Sequence, residues 1–255
     1  MPAFHKIVYA VDGPVARLTL HRPEKRNALD SQMVSEIRRA LADSAADPEV
    51  RVVLLSGAGK DFCAGADLAA LNQIANASVM ENVADARQLA DTFLDMRRHP
   101  RPIVAAVRGR ALAGGCGIAT AADIILAAES AQFGYPEVKI GFVPAMVMAI
   151  VRRSVSEKRA FELLTSGETF PARTALEIGM INRIFPDATF DREVESYTAQ
   201  LATRSHSALS MTKGLLYQID AMTFEAALSA GVNINALART TDDCRRGIQQ
   251  FVKKS

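Results

Sequence analysis

The alternation of short apolar runs with helix-patterned segments is the feature that most restricts how this chain can fold. Each run is apolar at nearly every position, which predicts a strand buried on both faces, and the clearest are RVVLLSG (51–57), PIVAAV (102–107) and DIILAA (123–128). One helix is predicted in DSQMVSEIRRALADSA (30–45), with Asp30 or Ser31 as its N-cap, and another over 82–97. This order predicts parallel β-α units and therefore an α/β fold.

The two ends of the chain predict different elements. Near the start, KIVYAVDGPVARLTL (6–20) indicates two strands joined at Asp12-Gly13, a dipeptide typical of hairpin turns. From about residue 144 onward, strand signals nearly vanish and apolar residues fall at helical spacing. We therefore expect a core over residues 1–195 and a helical region over residues 196–255.

Charge and cysteine content exclude several classes of function. The chain has 30 basic and 28 acidic residues, a balance that argues against a nucleic-acid partner. Cys63, Cys116 and Cys244 form no CxxC pair and the four histidines show no ligand spacing, so neither a disulfide framework nor a metal site is predicted. Cys63 and Cys116 are expected to be buried packing residues. No run reaches the roughly 20 apolar residues of a membrane span, and the expected location is the cytoplasm.

Two glycine-containing segments each follow a predicted buried strand. They are GAGKDFCAGADL (57–68) and ALAGGCGIATAAD (111–123). The first is not a nucleotide loop, because Asp61 stands where a Walker pattern needs Ser or Thr, and Phe62 where a Rossmann pattern needs a small residue. Backbone N–H groups at the start of a helix can instead bind an oxyanion, such as an enolate oxygen.

Three stretches of the sequence closely resemble the crotonase superfamily, which comprises the enoyl-CoA hydratases and isomerases. They are FCAGADL (62–68), AAVRGRALAGGCGIATAADIILAAESAQFGYPE (105–137) and IGFVPA (140–145), and the likeness extends from RNALD (26–30) to FVKK (251–254). The resemblance implies a crotonase-like α/β fold, a β-β-α superhelix core with a C-terminal helical region used for trimerisation. It also implies an acyl-CoA substrate, no separate cofactor because coenzyme A belongs to the substrate, and a homotrimer or a dimer of trimers.

The resemblance places the family's catalytic groups on specific residues of this chain. Its oxyanion hole of two backbone N–H groups corresponds to Ala66 and Gly114. The family's hydratases carry two catalytic glutamates, of which only Glu137 is present here, because Gly117 stands at the other position. Without the resemblance, Glu137 would be read as an exposed turn residue. Asp123, at the start of a predicted strand, is expected to satisfy buried backbone rather than to react.

Further residues are expected along the substrate. The resemblance places coenzyme A beside the basic loop that contains Arg22 and Lys25, with the C-terminal FVKK contributed by a neighbouring subunit. The residues predicted to bind substrate or coenzyme A are Arg26, Ala28, Ala64, Gly65, Asp67, Leu68, Phe251 and Lys254. For Asp67 an N-cap role is preferred. Residues 69–82 are expected to form the mobile edge of the acyl pocket, and Met146 and Met148 fit a pocket wall and the core equally well.

The lone glutamate favours one reaction of the family over the others. Isomerisation of a 3-enoyl to a 2-enoyl thioester needs a single base, which takes a proton from C2 and returns it to C4. Hydration of a 2-enoyl-CoA, in which one water would serve both carbons, is the first alternative. A catalytically weak scaffold that binds acyl-CoA is the second, because a site can lose its chemistry while its fold persists. The acyl group is expected to be fatty or branched, with its length left open.

Overall fold

Buried strands form the centre of the molecule, as the apolar runs predict. The computed structural model describes residues 3–253, apart from the side chain of Leu68. The strands are, in chain order, β1 (Ile7–Asp12), β2 (Val15–Leu20), β3 (Val52–Gly57), β4 (Ile103–Val107), β5 (Arg110–Leu112), β6 (Ile124–Ala128), β7 (Gln132–Gly134), β8 (Thr169–Pro171) and β9 (Arg183–Phe185). Within the described residues they form a six-stranded sheet, β1-β2-β3-β4-β6-β9, and a three-stranded sheet, β5-β7-β8.

The larger sheet is parallel except at one edge. Strands β1 and β2 pair antiparallel around Gly13 (φ 54°), which confirms the hairpin, and the remaining neighbours pair parallel. Side chains of β3 alternate between the two faces, since Val52 and Leu54 belong to one core cluster while Val53 and Leu55 belong to the other. All four are at most 5% exposed. Because both faces are covered, the strands are continuously apolar.

Eleven α-helices are present in the described residues, and several of them begin at side-chain N-caps. They are α1 (Ser31–Ala46), α2 (Leu68–Asn76), α3 (Val79–Arg98), α4 (Gly114–Ala121), α5 (Ala145–Ser154), α6 (Glu157–Ser166), α7 (Ala172–Glu177), α8 (Phe190–Ala202), α9 (His206–Gln218), α10 (Phe224–Thr240) and α11 (Asp242–Val252). Asp30 accepts a hydrogen bond from the Met33 N–H and is the N-cap of α1. Ser78 and Glu81 form a reciprocal capping box at the start of α3.

Four of the strands are absent from the sequence-based expectations. Strands β5, β7, β8 and β9 have three residues each, too few for alternation or an apolar run to register. Two of them, β8 and β9, lie beyond residue 144, where strand signals nearly vanish from the sequence, and residues 196–253 are helical as predicted. The short strand β5 is important for function, because it connects β4 to the second glycine segment.

The predicted boundary between residues 195 and 196 falls inside α8. Phe190 and Val194 of this helix are buried in the cluster on one face of the large sheet, and Tyr197 and Leu201 pack against the same cluster. The whole of α8 therefore belongs to the packing of the sheet. Helices α10 and α11, both fully described, contain no buried residue. In the part of the chain that the structure describes, no helix is long and apolar enough to cross a membrane.

Asp123 anchors α9 to the core. Its Oδ2 accepts hydrogen bonds from the Ile103 N–H (2.6 Å) and from Lys213 Nζ (2.7 Å). Its Oδ1 accepts one from the Tyr217 hydroxyl (2.6 Å). The bond to Ile103 confirms that Asp123 satisfies buried backbone. Lys213 is 7% exposed and also donates to two backbone carbonyls (2.9 and 3.1 Å), so its buried ammonium has all three of its donors engaged.

Removal of the Asp123 carboxylate would leave the Lys213 charge buried without a counter-ion. We expect Asp123→Ala to lower the free energy of unfolding by about 3–5 kcal/mol, the usual cost of breaking a buried pair on one side. Urea unfolding measures this loss. Asp191→Ala is the matched control, because Asp191 pairs with Arg108 (2.8 Å) on the surface and its loss should cost no more than about 0.5 kcal/mol. Equal stability of the two variants would contradict the anchoring role.

Candidate active site

The second glycine segment forms the turn at which β5 passes into α4. Ala113 adopts φ 49° and ψ −130°, a conformation that L-residues rarely occupy, and α4 begins at the next residue, Gly114. A Cβ on Gly115 would lie 2.5 Å from the Sγ of Cys63, so this position accepts only glycine. The turn is therefore fixed by a close approach to the first glycine segment.

The first glycine segment is hydrogen-bonded sideways to this turn. The Cys63 N–H donates to the Arg110 carbonyl (3.0 Å), and the Leu112 N–H donates to the Cys63 carbonyl (2.9 Å), as in a parallel bridge. Gly65 (φ 95°) lies so close that a Cβ on it would be 2.9 Å from the Cβ of Ala113. Residues 64–66 are thereby held beside the start of α4.

Ala66 and Gly114 keep their N–H groups unengaged. The Leu29 N–H donates to the Gly65 carbonyl (2.7 Å) and the Asp67 N–H donates to the Leu29 carbonyl (2.8 Å). In this parallel bridge the amide of Ala66 itself points away from Leu29. Among the described residues, no acceptor takes the N–H of Ala66 or of Gly114. Two free donors from adjoining loops can bind an oxyanion.

A cavity of about 410 Å³ lies over these donors, between α1, α2, α3 and residues 136–147. Its lining is mainly apolar and includes Ala64, Ala66, Gly114 and Glu137. Its size is that of an ordinary small-molecule site. A Cβ on Gly114 would lie 3.5 Å from the side chains of Leu29 and Leu89, which both line the cavity, so glycine keeps this end of the cavity open.

Glu137 reaches the cavity from the 3₁₀ helix Pro136–Ile140. The preceding residue, Tyr135, is fully buried, and its hydroxyl is hydrogen-bonded to Thr120 of α4 (2.8 Å), which fixes the segment against the helix that Gly114 begins. In the described part of the chain, the Oε2 atom of Glu137 is buried without a hydrogen-bond partner. Burial raises the pKa of Glu137 above the ordinary glutamate value. A raised pKa suits a carboxyl that both accepts and returns a proton.

Gly117 lies one turn into α4 and does not line the cavity. A Cβ at this position would lie 2.4 Å from Cγ1 of Val147 and 2.9 Å from Cζ of Phe93. The volume that a longer side chain would need is therefore occupied by apolar atoms of α3 and α5. A second carboxylate is missing here, and no space is left for one.

The basic loop before α1 is held by ion pairs within the protein. Arg22 is 9% exposed and contacts Asp30 (2.9 Å) and Asp67 (2.7 Å), and Lys25 also contacts Asp67 (3.1 Å). Asp67 accepts a hydrogen bond from the Ala69 N–H (2.9 Å), which confirms that it is the N-cap of α2. The Ala69 N–H, followed by the Arg22 guanidinium, lowers the pKa of the Asp67 carboxyl to about 2. Asp67 is thus ionised, engaged, and outside the cavity lining.

Of the other residues predicted to bind substrate or coenzyme A, Ala64 lines the cavity, whereas Gly65, Arg26, Ala28 and Phe251 do not. Arg26 is exposed in the basic loop, whereas Ala28 is 7% exposed. Leu68 is the first residue of α2, and its side chain is not described. Phe251 is 76% exposed on α11. Lys254 lies outside the described residues.

The predicted acyl-pocket segment, residues 69–82, forms most of α2 and the start of α3. Three of its side chains line the cavity: Ala70, Leu71 and Ile74. Of the two methionines that could belong to the pocket or the core, Met146 lines the cavity and also packs against the core. Met148 does not line the cavity and is 43% exposed.

Asn27 is a positioning residue that the sequence analysis missed. It is fully buried with φ 55°, and its side-chain amide donates to the carbonyls of Ala58 (2.9 Å) and Asp61 (2.8 Å). Its Oδ1 accepts from the Arg22 N–H (2.8 Å). These bonds tie the basic loop to the first glycine segment. The residue type could have predicted this role, because asparagine tolerates a left-handed conformation and its side chain forms hydrogen bonds with nearby backbone groups.

Two polar residues of α3 that the sequence did not point to also line the cavity. Asp85 and Gln88 lie three residues apart, so they share one face of the helix. Lys139, two residues after Glu137, lines the cavity and pairs with the exposed Glu168 (2.8 Å). In the described residues, no three His, Cys, Asp or Glu side chains converge as metal ligands.

The chain belongs to the enoyl-CoA hydratase/isomerase family, whose sequence profile matches residues 11–255. A Thermus thermophilus protein provisionally named enoyl-CoA hydratase is 40% identical over 248 residues, which cover 97% of this chain and 98% of that protein. The 2,3-dehydroadipyl-CoA hydratase of Escherichia coli is 31% identical over 242 residues, which cover 94% of this chain and 92% of the relative. The protein is thus an enzyme of the crotonase superfamily.

Solved structures agree with this assignment. The crystal structure of an enoyl-CoA hydratase of Mycobacterium smegmatis has a TM-score of 0.94 and 29% identity, with 98% of this chain and 97% of that chain covered. AtuE of Pseudomonas aeruginosa has a TM-score of 0.93 and 31% identity, with the same coverage. The expectation of a crotonase-like α/β fold with C-terminal helices is confirmed.

Because the space beside Gly117 is filled, we expect a Gly→Ala substitution there to destabilise the protein, although the same change normally stabilises a helix. Gly→Ala within a helix normally stabilises by roughly 1 kcal/mol, but overpacking costs about 1–3 kcal/mol. We therefore expect Gly117→Ala to lower the free energy of unfolding. The companion change Val147→Ala should relieve the clash, with a coupling of about 0.5–3 kcal/mol between the two changes in a double-mutant cycle.

Gly231→Ala provides the control for this cycle. A Cβ on Gly231, within α10, meets no atom within 4 Å, so this variant should gain about 0.5–1 kcal/mol. If Gly117→Ala stabilised the protein as much as Gly231→Ala, the space beside Gly117 would be open, contrary to the contacts described above.

Proposed function

We propose that the enzyme acts on an enoyl-CoA thioester through an enolate, with Glu137 as its lone acid–base group. The observation that carries this proposal is that the half-buried Glu137 lines the same cavity as Ala66 and Gly114, whose N–H groups are unengaged among the described residues. The N–H groups of Ala66 and Gly114 would hold the thioester oxygen as it gains negative charge. The proposal includes no cofactor besides the coenzyme A of the substrate, and a cytoplasmic location.

Isomerisation of a 3-enoyl-CoA is the reaction that the geometry supports best. Glu137 takes the proton from C2, the electrons move into the thioester carbonyl, and the double bond shifts from C3–C4 to C2–C3. The same carboxyl then returns the proton to C4, so that substrate and product differ only in the double bond. One carboxylate suffices for this sequence, and the apolar contacts of Val147 and Phe93 beside Gly117 leave no room for another there.

Hydration of a 2-enoyl-CoA is the second candidate, and the names of the relatives favour it. Both relatives described above carry the name of a hydratase. In this reaction Glu137 takes a proton from water as the hydroxide oxygen bonds to C3, and then gives a proton to C2. The carboxyl is restored at the end of each turnover, as a catalyst requires.

An assay with two substrates distinguishes isomerisation from hydration. Purified protein is given a 3-enoyl-CoA and, separately, a 2-enoyl-CoA, and the products are followed by chromatography. We expect kcat/KM for isomerisation to exceed that for hydration at least tenfold, and Glu137→Gln to lower it by about 10²–10⁴. Glu129→Gln, at an exposed position outside the cavity, should leave the rate unchanged. Faster hydration would overturn the preference for isomerisation, and binding without turnover would indicate an acyl-CoA scaffold.

The pH profile of the same reaction gives a further check on Glu137. As the base it must be ionised, so kcat/KM should fall as the pH drops through its pKa. Because burial raises that pKa, the fall should begin at a higher pH than for an ordinary glutamate. An acid limb at or below the ordinary value, or full activity of Glu137→Gln, would show that another group is the base.

We further propose that the C-terminal helices form the contacts of a homotrimer or a dimer of trimers. Phe224, Leu228 and Val232 lie four residues apart on α10 and are 74%, 57% and 69% exposed, so they form an apolar stripe on one helix face. The family resemblance also supports a coenzyme A site made from Arg26 and Ala28 of one subunit and from Phe251 and Lys254 of its neighbour. The exposure of Arg26 and Phe251 fits that proposal.

The oligomeric state can be tested by light scattering coupled to size-exclusion chromatography. We expect a mass of three or six times the 27.5 kDa of one chain. The double variant Leu228→Asp/Val232→Asp should elute as a single chain, because charges would replace the apolar stripe. Val8→Asp, at a 48% exposed position on β1, should keep the wild-type mass. A monomeric wild type would contradict the proposal.

A further inference from the structure

Two polar side chains on the α3 wall of the catalytic cavity take no part in the proposed chemistry. Asp85 and Gln88 line the cavity, and neither side chain has a hydrogen-bond or ion-pair partner among the described residues. Asp85 is exposed and Gln88 is partly buried. Because they lie three residues apart on one helix, their Cβ atoms are about 5–6 Å apart. A single small polar group in the cavity can therefore contact both.

Apart from the proposed acid–base glutamate, the other charged side chains of the lining already have partners. Asp30 pairs with Arg22 (2.9 Å), and Lys139 pairs with Glu168 (2.8 Å). Within the described lining, Asp85 is thus a carboxylate without an assigned role, in a cavity whose walls are mainly apolar. A few free polar groups in an apolar cavity fix the orientation of a ligand and determine specificity.

The packing of α3 against α4 places Asp85 near the two unengaged N–H groups. A Cβ on Gly114, the first residue of α4, would lie 3.5 Å from Leu89, and one on Gly117 would lie 2.9 Å from Phe93. The two helices therefore run past each other in the same direction. Asp85 precedes Leu89 by one turn, about 6 Å, so it lies beyond the N-terminal end of α4, toward which helical N–H groups point. An acyl group whose thioester oxygen is bound there starts about one helical turn from Asp85.

We infer that Asp85 and Gln88 bind a hydroxyl group on the acyl chain and thereby select hydroxylated acyl-CoAs. This inference rests on the proposed function and adds the class of substrate. An extended chain advances about 1.2 Å per bond, a third of its reach per residue. About five bonds, from C1 to C6, therefore span the helical turn between the N–H groups and Asp85, so we expect the hydroxyl near C6.

A hydroxyl matches this pair of side chains better than a methyl group or a carboxylate does. It donates a hydrogen bond to the carboxylate of Asp85 and accepts one from the amide of Gln88. A methyl group would leave both side chains without a partner, and sites that pair with a substrate hydroxyl discriminate strongly against ligands that lack it. A carboxylate would face Asp85 with a like charge.

Calorimetric titration of matched saturated acyl-CoAs tests this inference without requiring turnover. The full-length protein is titrated with hexanoyl-CoA, 6-hydroxyhexanoyl-CoA and adipyl-CoA, in which C6 is a methyl, an alcohol and a carboxylate carbon. We expect 6-hydroxyhexanoyl-CoA to bind at least tenfold more tightly than hexanoyl-CoA, the effect of one hydrogen bond to a charged group. In a cavity without partners for the hydroxyl this order would be reversed, because burial of an unpaired hydroxyl costs free energy.

Variants of α3 assign the effect to these two side chains. Asp85→Ala and Gln88→Leu should each lower the affinity ratio of 6-hydroxyhexanoyl-CoA to hexanoyl-CoA at least threefold. Asp85→Asn should strengthen the binding of adipyl-CoA, because the like charge is removed. Asp91→Ala is the matched control, since Asp91 lies on the same helix, pairs with Arg38 (3.6 Å) and does not line the cavity. Its ratio should equal that of the wild type.

A wild-type ratio near one or below would overturn the inference, and so would a ratio that is unchanged in Asp85→Ala or lowered equally in Asp91→Ala. Failure of hexanoyl-CoA itself to bind would contradict the proposed function, and the inference with it. Because these ligands contain no double bond, the outcomes are independent of whether the protein proves to be an isomerase, a hydratase or a scaffold.

Discussion

The sideways hydrogen bonds between Cys63 and β5 are the constraint on which the candidate active site depends. Here two loops that are distant in sequence are joined by backbone hydrogen bonds. They approach so closely that no side chain larger than hydrogen fits at Gly115. One amide of each loop has no acceptor among the described residues, and both residues line the same cavity. An oxyanion site made in this way uses donors that cannot rotate, so little reorganisation is needed when charge develops on a bound oxygen.

Glu137 is held by different means. Tyr135 fixes its segment through Thr120, on the same helix that begins with Gly114, so the carboxyl and one of the two unengaged N–H groups share a support. Burial of this carboxyl, one of whose oxygens has no partner, raises its pKa and reduces the stability of the fold above that pKa. Proteins often keep such unfavourable arrangements at sites where reactivity requires them.

The sequence predicts those parts of the fold in which a hydrophobic or capping pattern extends over several neighbouring residues. The buried strands, the hairpin at Gly13 and the capped starts of α1 and α2 follow from runs, turn dipeptides and capping residues. Strands of three residues carry too little pattern, and the left-handed Asn27 acts through contacts with residues some 30 positions away. At the site, motif resemblance pointed to Ala66, Gly114 and Glu137, and all three line one cavity. The polar residues of α3 could not be assigned to the site from the sequence, because only the tertiary structure places Asp85 and Gln88 in the cavity lining.

The apolar contacts beside Gly117 have an evolutionary consequence. A codon change that introduced glutamate at this position would place its side chain against Val147 and Phe93, so the protein would lose stability before it gained a second carboxylate. A two-carboxylate site could therefore arise here only after smaller residues had been fixed on α3 or α5, where by themselves they would bring no catalytic advantage. The packing around Gly117 thus opposes the gain of a second carboxylate at this position.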